Sequence, residues 1–380
     1  MSATATTSGG TTANAAQEAG RGHAAGSSAA RVPTIVLGGT GYVAGELLRL
    51  IAGHPKLELR AILSDSKPGE RVSAQFPHLA AVYPDATFAA LDEVQALIAS
   101  VPSAAVLCAA PHGPSAELID RLLKHAEAAG TRPRFVDISA DYRFADPEAY
   151  ARVYKHAHGA PARLADFTCA VPEHLAELHT PHVAHPGCFA TTMLLAIVPL
   201  LQLGLVEPEL YVSGVTGSTG SGRTPTAGTH HPQRHSDLYS YNALAHRHAP
   251  EVVAVAKTVT GVEASLNFVP HSGPFARGIH ATTQARLARP MTAAEVVARL
   301  REYYAGQPFV KVLDAAPRLK DVVASNYAHL SATTNGRTVA VMSVADNLTK
   351  GAAGGAVQWM NRLYGWDQAL GLAAPAPGWT

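Results

Sequence analysis

The chain has 380 residues, with 30 Lys and Arg against 29 Asp and Glu, a formal net charge of +1 and 47% hydrophobic residues. So balanced a charge offers no basic field for nucleic acid or an anionic membrane surface, and the expected partner is a small molecule. The length favours two domains around a large core, no apolar run reaches the roughly 18 residues of a membrane span, and Cys108, Cys169 and Cys188, without a C-x-x-C pair, argue against a disulfide framework or zinc finger and for a reducing cytoplasm.

Residues 1–30 are mainly Ala, Gly, Ser and Thr and are expected to form a disordered soluble tail, without the apolar centre of a signal peptide. From Arg31 the pattern is that of a parallel α/β domain: strand 34–37, a glycine turn, helix 43–51, strand 57–63, strand 104–109, helix 115–129 and strand 134–138. This alternation predicts a parallel α/β domain over 31–184. A buried helix is predicted at 193–203, then longer strands at 209–215, 266–270, 279–287 and 338–345. The segment 185–346 therefore reads as an α+β domain. A last helix at 351–363 is expected to pack back, so that 347–380 completes the first domain.

The first turn, Gly38-Gly39-Thr40-Gly41-Tyr42-Val43-Ala44, contains G-x-G-x-x-A as Gly39, Gly41 and Ala44 between a strand and a helix. Glycine there allows positive φ and close approach of a pyrophosphate to N–H groups at a helix N-terminus. After the second strand, Ser64 and Ser66 with Lys67 suit a 2′-phosphate, whereas Asp65 suits a free ribose; the reading leans to NADP.

Cys188 follows Pro186-Gly187 and precedes an apolar helix, a placement that lowers a thiol pKa through the helix dipole. Taken alone, the residue reads as a small buried hydrophobe. The glycine- and hydroxyl-rich segment 214–223, ending in Arg223, reads as a loop whose donors suit a carboxylate or phosphate, or as plain surface. His246 and His248 supply proton-transfer chemistry and, two apart, favour a strand or loop. No metal is expected, because His230, His231, His235, His246 and His248 lack a ligand-type spacing.

Together these motifs, with Pro111-His112-Gly113, Val136-Asp137-Ile138-Ser139-Ala140-Asp141-Tyr142-Arg143, His246-Arg247-His248-x-Pro250-Glu251, Arg277-Gly278 and Asp346-Asn347-Leu348-x-Lys350-Gly351, resemble the N-acetyl-γ-glutamyl-phosphate reductases of arginine biosynthesis. The resemblance implies an NADP-dependent, phosphorylating semialdehyde dehydrogenase. Its fold would be a Rossmann domain plus an α+β domain of the aspartate-semialdehyde and glyceraldehyde-phosphate dehydrogenase type, in a homo-oligomer, often a tetramer. It implies Cys188 as nucleophile, His246 as proton donor with His248 as the substitute, and Glu251 as the group orienting either ring. Ser139, Arg143, Arg223 and Arg247 would contact substrate, and Asn347 the cofactor. The chain departs from the family in having Ala44 where glycine is frequent and in lacking an arginine beside Ser64. The stretch Thr229-His230-His231-Pro232 also resembles sister reductases whose aminoadipyl or glutamyl phosphate rides on an acidic carrier protein, so the acyl group stays open. A cysteine hydrolase and a nucleotide-sensing Rossmann protein are the competing classes.

Overall fold

In strand β1 (Val32–Leu37), Ile35 and Leu37 face one side and Val36 the other, and all three are fully buried. A strand apolar on both faces belongs inside a parallel sheet covered twice by helices. The computed structural model, which describes residues 31–379, has that arrangement; the expectation for 1–30 lies outside the described residues. Strands β1, β2 (Leu57–Ile62), β3 (Ala105–Cys108), β4 (Arg134–Asp137), β5 (Phe167–Cys169) and β6 (His182–Ala184) form a parallel sheet in the order β2-β1-β3-β4-β6-β5. Helix α1 (Tyr42–Ala52) follows the glycine turn, and short α2 (Val72–Gln75) lies beyond β2. Helices α3 (Leu91–Ser100) and α4 (Pro114–Ala129) cover one face, where Val94, Ile98, Ile119 and Leu122 meet Ile35, Leu37 and Val106. Helix α5 (Pro147–Tyr154) follows β4.

The second sheet is mixed, in the order β11-β12-β13-β10-β7-β9-β8. Its strands are β7 (Val206–Thr216), β8 (Tyr239–Ser240), β9 (Ser265–Ser272), β10 (Ile279–Leu287), β11 (Val310–Val312), β12 (Ala328–Thr334) and β13 (Thr338–Ala345). Helix α6 (Cys188–Gln202) is almost wholly apolar, and Leu194, Ile197 and Val198 share a core with Leu210, Val212, Phe268, Ala281 and Val341. After the short α7 (His231–Arg234), helices α8 (His248–Thr260) and α9 (Ala293–Tyr303) add Val252, Val255, Val296 and Leu300 to that core. The opposite face of the sheet is open: Tyr211 is 51% exposed, and Ser213 and Gln284 are exposed beside it.

The last helical elements are a π-helical turn, Thr349–Ala353, and α10 (Gly354–Leu363), after which the described chain runs on to 379. Val357 and Met360 of α10 pack with Leu47 and Leu48 of α1 and with Val36, Leu107 and Val136 on the free face of the first sheet.

Two element boundaries differ from expectation for packing reasons. Helix α6 begins at Cys188, because Thr191 and Thr192 are buried; the Thr192 hydroxyl donates to the Cys188 carbonyl at 3.0 Å. Residues 214 and 215, read both as the end of a strand and as the start of a loop, finish β7 together with Thr216, read as loop; a Cβ on Gly214 would stand 2.6 Å from the Phe189 ring, so glycine is there for close packing.

Candidate active site

The glycine turn lies at the carboxyl edge of the first sheet. Only Gly38 has positive φ (75°), and a Cβ there would stand 2.5 Å from the Ala110 backbone. Gly39 and Gly41 do not use left-handed φ, contrary to expectation: Gly39 presses on Ile62, whereas a Cβ on Gly41 would meet nothing within 4 Å. Gly41 caps α1 without a side-chain bond, so the helix offers the free N–H groups of Tyr42 and Val43 to open space. Thr40 beside them accepts a bond from Gln75 Nε2 at 2.8 Å. The cradle fits a pyrophosphate. Beyond β2, the hydroxyls of Ser64 and Ser66 stand 3.5 Å apart, while Lys67 pairs with Glu70 at 2.8 Å on the surface.

Cys188 opens α6, partly exposed and flanked by protein. The expected lowering of its pKa is not what the structure shows. Burial pushes the thiol up, and the Phe189 N–H with the charges of Arg143 and Arg247 only partly offset that. Gly187 precedes it at φ −59°, ordinary backbone; glycine is required because a Cβ would collide with His248 Nε2 and stand 2.8 Å from Arg143 Nη1.

Both histidines border this turn, with ring centres 6.0 Å (His246) and 6.4 Å (His248) from Phe189. They do not share a strand or loop: His246 ends a loop and His248 opens α8. His246 Nδ1 accepts the His248 N–H at 3.1 Å, which leaves the neutral ring its proton on Nε2. Burial, then Arg247, lower the His246 pKa to about 4, and burial holds His248 well below the ordinary histidine range. In the free protein both rings are neutral at pH 7.

Glu251 orients neither histidine, a second correction. Its carboxylate accepts the Gly187 N–H at 2.6 Å and pairs with Arg143 at 3.1 Å. Arg143, 6% exposed, also donates to the carbonyls of His185 and Ile138, so it braces the cysteine turn instead of facing a ligand. The Ser139 hydroxyl is likewise engaged, donating to Asp137 at 2.7 Å. Asn347 receives the Gly278 N–H at 2.6 Å and donates one N–H to Thr219 at 3.0 Å, anchoring the 217–222 segment.

Two arginines remain open. Arg247 is exposed at the start of α8, 6.0 Å from the Tyr154 ring, and its charge reaches both Cys188 and His246. Arg223 crosses to the glycine turn, donating to Gln75 O at 3.1 Å and lying 5.6 Å over the Phe76 ring.

Sequence reasoning named His112 and Lys350 within motifs but gave no role to His112, whose Nδ1 accepts the Ala140 N–H at 2.9 Å, or to the buried pair Lys350–Glu173. A lysine inside an Ala- and Gly-rich apolar helix was the available signal for the second. Among the described residues no three His, Cys, Asp or Glu side chains are grouped to hold a metal, and no helix is long and apolar enough to cross a membrane.

The sequence and the fold are similar to those of known proteins. Residues 34–185 match the family described as semialdehyde dehydrogenase, NAD binding domain, and residues 188–347 its dimerisation domain. The fold is shared with aspartate semialdehyde dehydrogenase II of Vibrio cholerae (TM-score 0.64, 15% identity, 88% of this chain and 98% of that one). The aspartate semialdehyde dehydrogenase of Francisella tularensis has the same fold (TM-score 0.60, 14% identity, 88% and 100%). Greater similarity is found to the N-acetyl-γ-glutamyl-phosphate reductase of Ectopseudomonas mendocina, 38% identical over 348 residues, 90% of this chain and 98% of the relative. The reductase of the same name from Acidithiobacillus ferrooxidans is 37% identical over 346 residues, 89% and 96% of the two chains. The chain belongs to the N-acetyl-γ-glutamyl-phosphate reductase family of semialdehyde dehydrogenases.

Proposed function

We propose that the protein reduces N-acetyl-γ-glutamyl phosphate to N-acetylglutamate semialdehyde with NADPH, releasing phosphate, in arginine biosynthesis. The observation that carries this is Cys188 at the first position of α6, ringed by two neutral histidines and the exposed Arg247. Arg247 takes the substrate's anionic group. Neutralising that charge removes the smaller of the two causes that lower the His246 pKa, while burial, the larger, keeps the resting ring neutral. The Cys188 sulfur attacks the acyl carbon and the C–O bond to phosphate breaks, the thiol proton leaving with the phosphate as hydrogen phosphate, which gives a thioester; the free N–H at the start of α6 faces the oxyanion. Bound NADPH supplies the hydride that reduces this thioester. His246 relays a solvent proton to the resulting alkoxide oxygen, and the hemithioacetal then collapses to the aldehyde, its hydroxyl proton returning Cys188 to the thiol.

Glycines 38, 39 and 41 with Thr40, Tyr42 and Val43 hold the pyrophosphate in this reading. Ser64 and Ser66 read the 2′-phosphate, with Lys67 after release from Glu70. Residues 31–184 with 347–380 form the cofactor domain, and 185–346 carries catalysis and assembly. The open face of the second sheet supports pairing of two copies there, within a tetramer. The relatives' name supports a free acetylated substrate over a carrier-linked one, and the cytoplasm as its place.

The test is phosphate-dependent reduction of NADP by N-acetylglutamate semialdehyde, beside the aminoadipate homologue and carrier-linked forms. Cys188→Ser should reduce turnover at least about 10³-fold while NADP binding persists, since an alcohol is a far weaker nucleophile than a thiolate. Near-normal turnover in Cys188→Ser would overturn the assignment.

A further inference from the structure

Four charged side chains meet where the two sheets join, and none of them touches the open site. Glu46 lies one turn into α1, directly behind the glycine turn, with its side chain 7% exposed. Its Oε1 accepts from Arg49 at 2.6 Å, Arg277 Nη2 at 3.1 Å and the Thr349 hydroxyl at 2.9 Å; its Oε2 accepts from Arg277 Nη1 at 3.2 Å. Arg277, in the β9–β10 connection, turns its other edge to Asp346, donating from Nε and Nη2 at 2.9 Å each. Asp346 is fully buried and accepts the N–H groups of Leu348 at 2.9 Å and Thr349 at 2.8 Å. It thereby sets the start of the π-helical turn.

That turn ends the chain of contacts at the nucleophile. A Cβ on Gly351 would lie 2.8 Å from Cys188 Cβ and 3.0 Å from its Cα, so the turn's backbone is seated against the cysteine. One line of contacts thus runs from the cofactor cradle through Glu46, Arg277, Asp346 and Gly351 to Cys188. Burying two carboxylates and a guanidinium is a poor route to stability, because desolvation offsets most of the attraction. A fork that fits two carboxylates at once does fix geometry, and lysine cannot reproduce it.

We infer that Arg277, clamped between Glu46 and Asp346, is a positioning residue that sets the distance between the acyl group on Cys188 and the nicotinamide of a cofactor held at the glycine turn. The inference rests on the proposed thioester mechanism and adds a division of labour to it. Attack by Cys188 on an acyl phosphate needs the cysteine turn that Arg143 and Glu251 brace, whereas hydride transfer also needs the two sheets in register. Loss of the clamp therefore affects the second half-reaction.

The test separates the two steps in the full-length protein. Rapid-quench mass spectrometry with acyl phosphate and no NADPH reads acylation of Cys188. Stopped-flow absorbance of NADPH added to the acylated protein reads hydride transfer. Arg277→Lys and Glu46→Gln are expected to acylate within about threefold of wild type and to bind NADPH within about threefold. Their hydride transfer is expected to be slower by about 10- to 100-fold, the scale of a misplacement near 1 Å. Arg277→Lys keeps the charge and tests the fork alone; Glu46→Gln keeps the shape and tests the charge. If acylation and hydride transfer fall together, or neither falls, in either folded variant, Arg277 does not set this distance. If wild-type protein forms no acyl-cysteine, the mechanism itself fails, an outcome visible before any variant is made.

Discussion

Gly187 shows how much of the site depends on a missing side chain. Its backbone is unstrained, yet His248 Nε2 and Arg143 Nη1 occupy the volume a methyl group would need. Gly187→Ala should displace His248 or break the Arg143–Glu251 brace, costing about 1–3 kcal/mol as an overpacked site does. Turnover should fall by more than tenfold with a lowered Tm; wild-type turnover would show that the turn relaxes freely. The role proposed for Cys188 was legible only in company: alone the residue reads as a small buried hydrophobe, and the other motifs that carry the family resemblance make it a candidate nucleophile. The roles of Arg143 and Glu251 were not legible, since they join residues 108 positions apart. The family resemblance made both candidates, but only the fold shows that they grip each other and the Gly187 N–H.

At the scale of elements, the π-helical turn before α10 is held by a buried ion pair. Lys350 and Glu173 have no exposed side-chain surface, and Gln358 bonds both, at 2.8 Å to Lys350 and 2.9 Å to Glu173. The Lys350 carbonyl in turn meets His185 Nε2 at 3.2 Å, beneath the cysteine turn. Lys350→Met would leave Glu173 buried without its counter-charge, and should destabilise the protein by about 3–5 kcal/mol in a urea melt. Adding Glu173→Met should recover much of that loss, because an apolar pair of similar volume needs no charge compensation. A double variant no more stable than Lys350→Met would contradict this account. The helix 351–363 was predictable from its apolar spacing, but the π turn was not. Gly351, Ala352 and Ala353 carry no side chain that could announce an irregular turn, and its cause lies in Asp346 and in contact with Cys188. Strands 279–287 and 338–345 were legible to the residue, whereas β5, β6 and β11, three residues each, are too short to show a period.

For the whole molecule, the buried histidines set the response to acid. Burial is the leading cause that lowers the pKa of His174, His182 and His246 to about 4 and of His185 to about 3, and all four are at most 8% exposed. In the unfolded chain each takes up a proton near pH 6.5, while the folded protein keeps the ring neutral. Between about pH 6.5 and 4 the unfolded state therefore binds more protons. The stability these rings contribute is complete above that window and falls as pH drops through it, by at most about 1.4 kcal/mol per pH unit for each ring. Glu46 extends the loss. Burial alone would raise its pKa, but bonds from Arg49 and Arg277 hold it at about 2, so its contribution is present above pH 4.5 and declines as pH falls toward 2. Tm should fall steadily from pH 7 to 4. Added salt, which screens exposed charges but not buried ones, should leave most of that fall in place. A Tm flat from pH 7 to 5, or a fall abolished by salt, would mean that surface repulsion and not these buried rings governs acid unfolding.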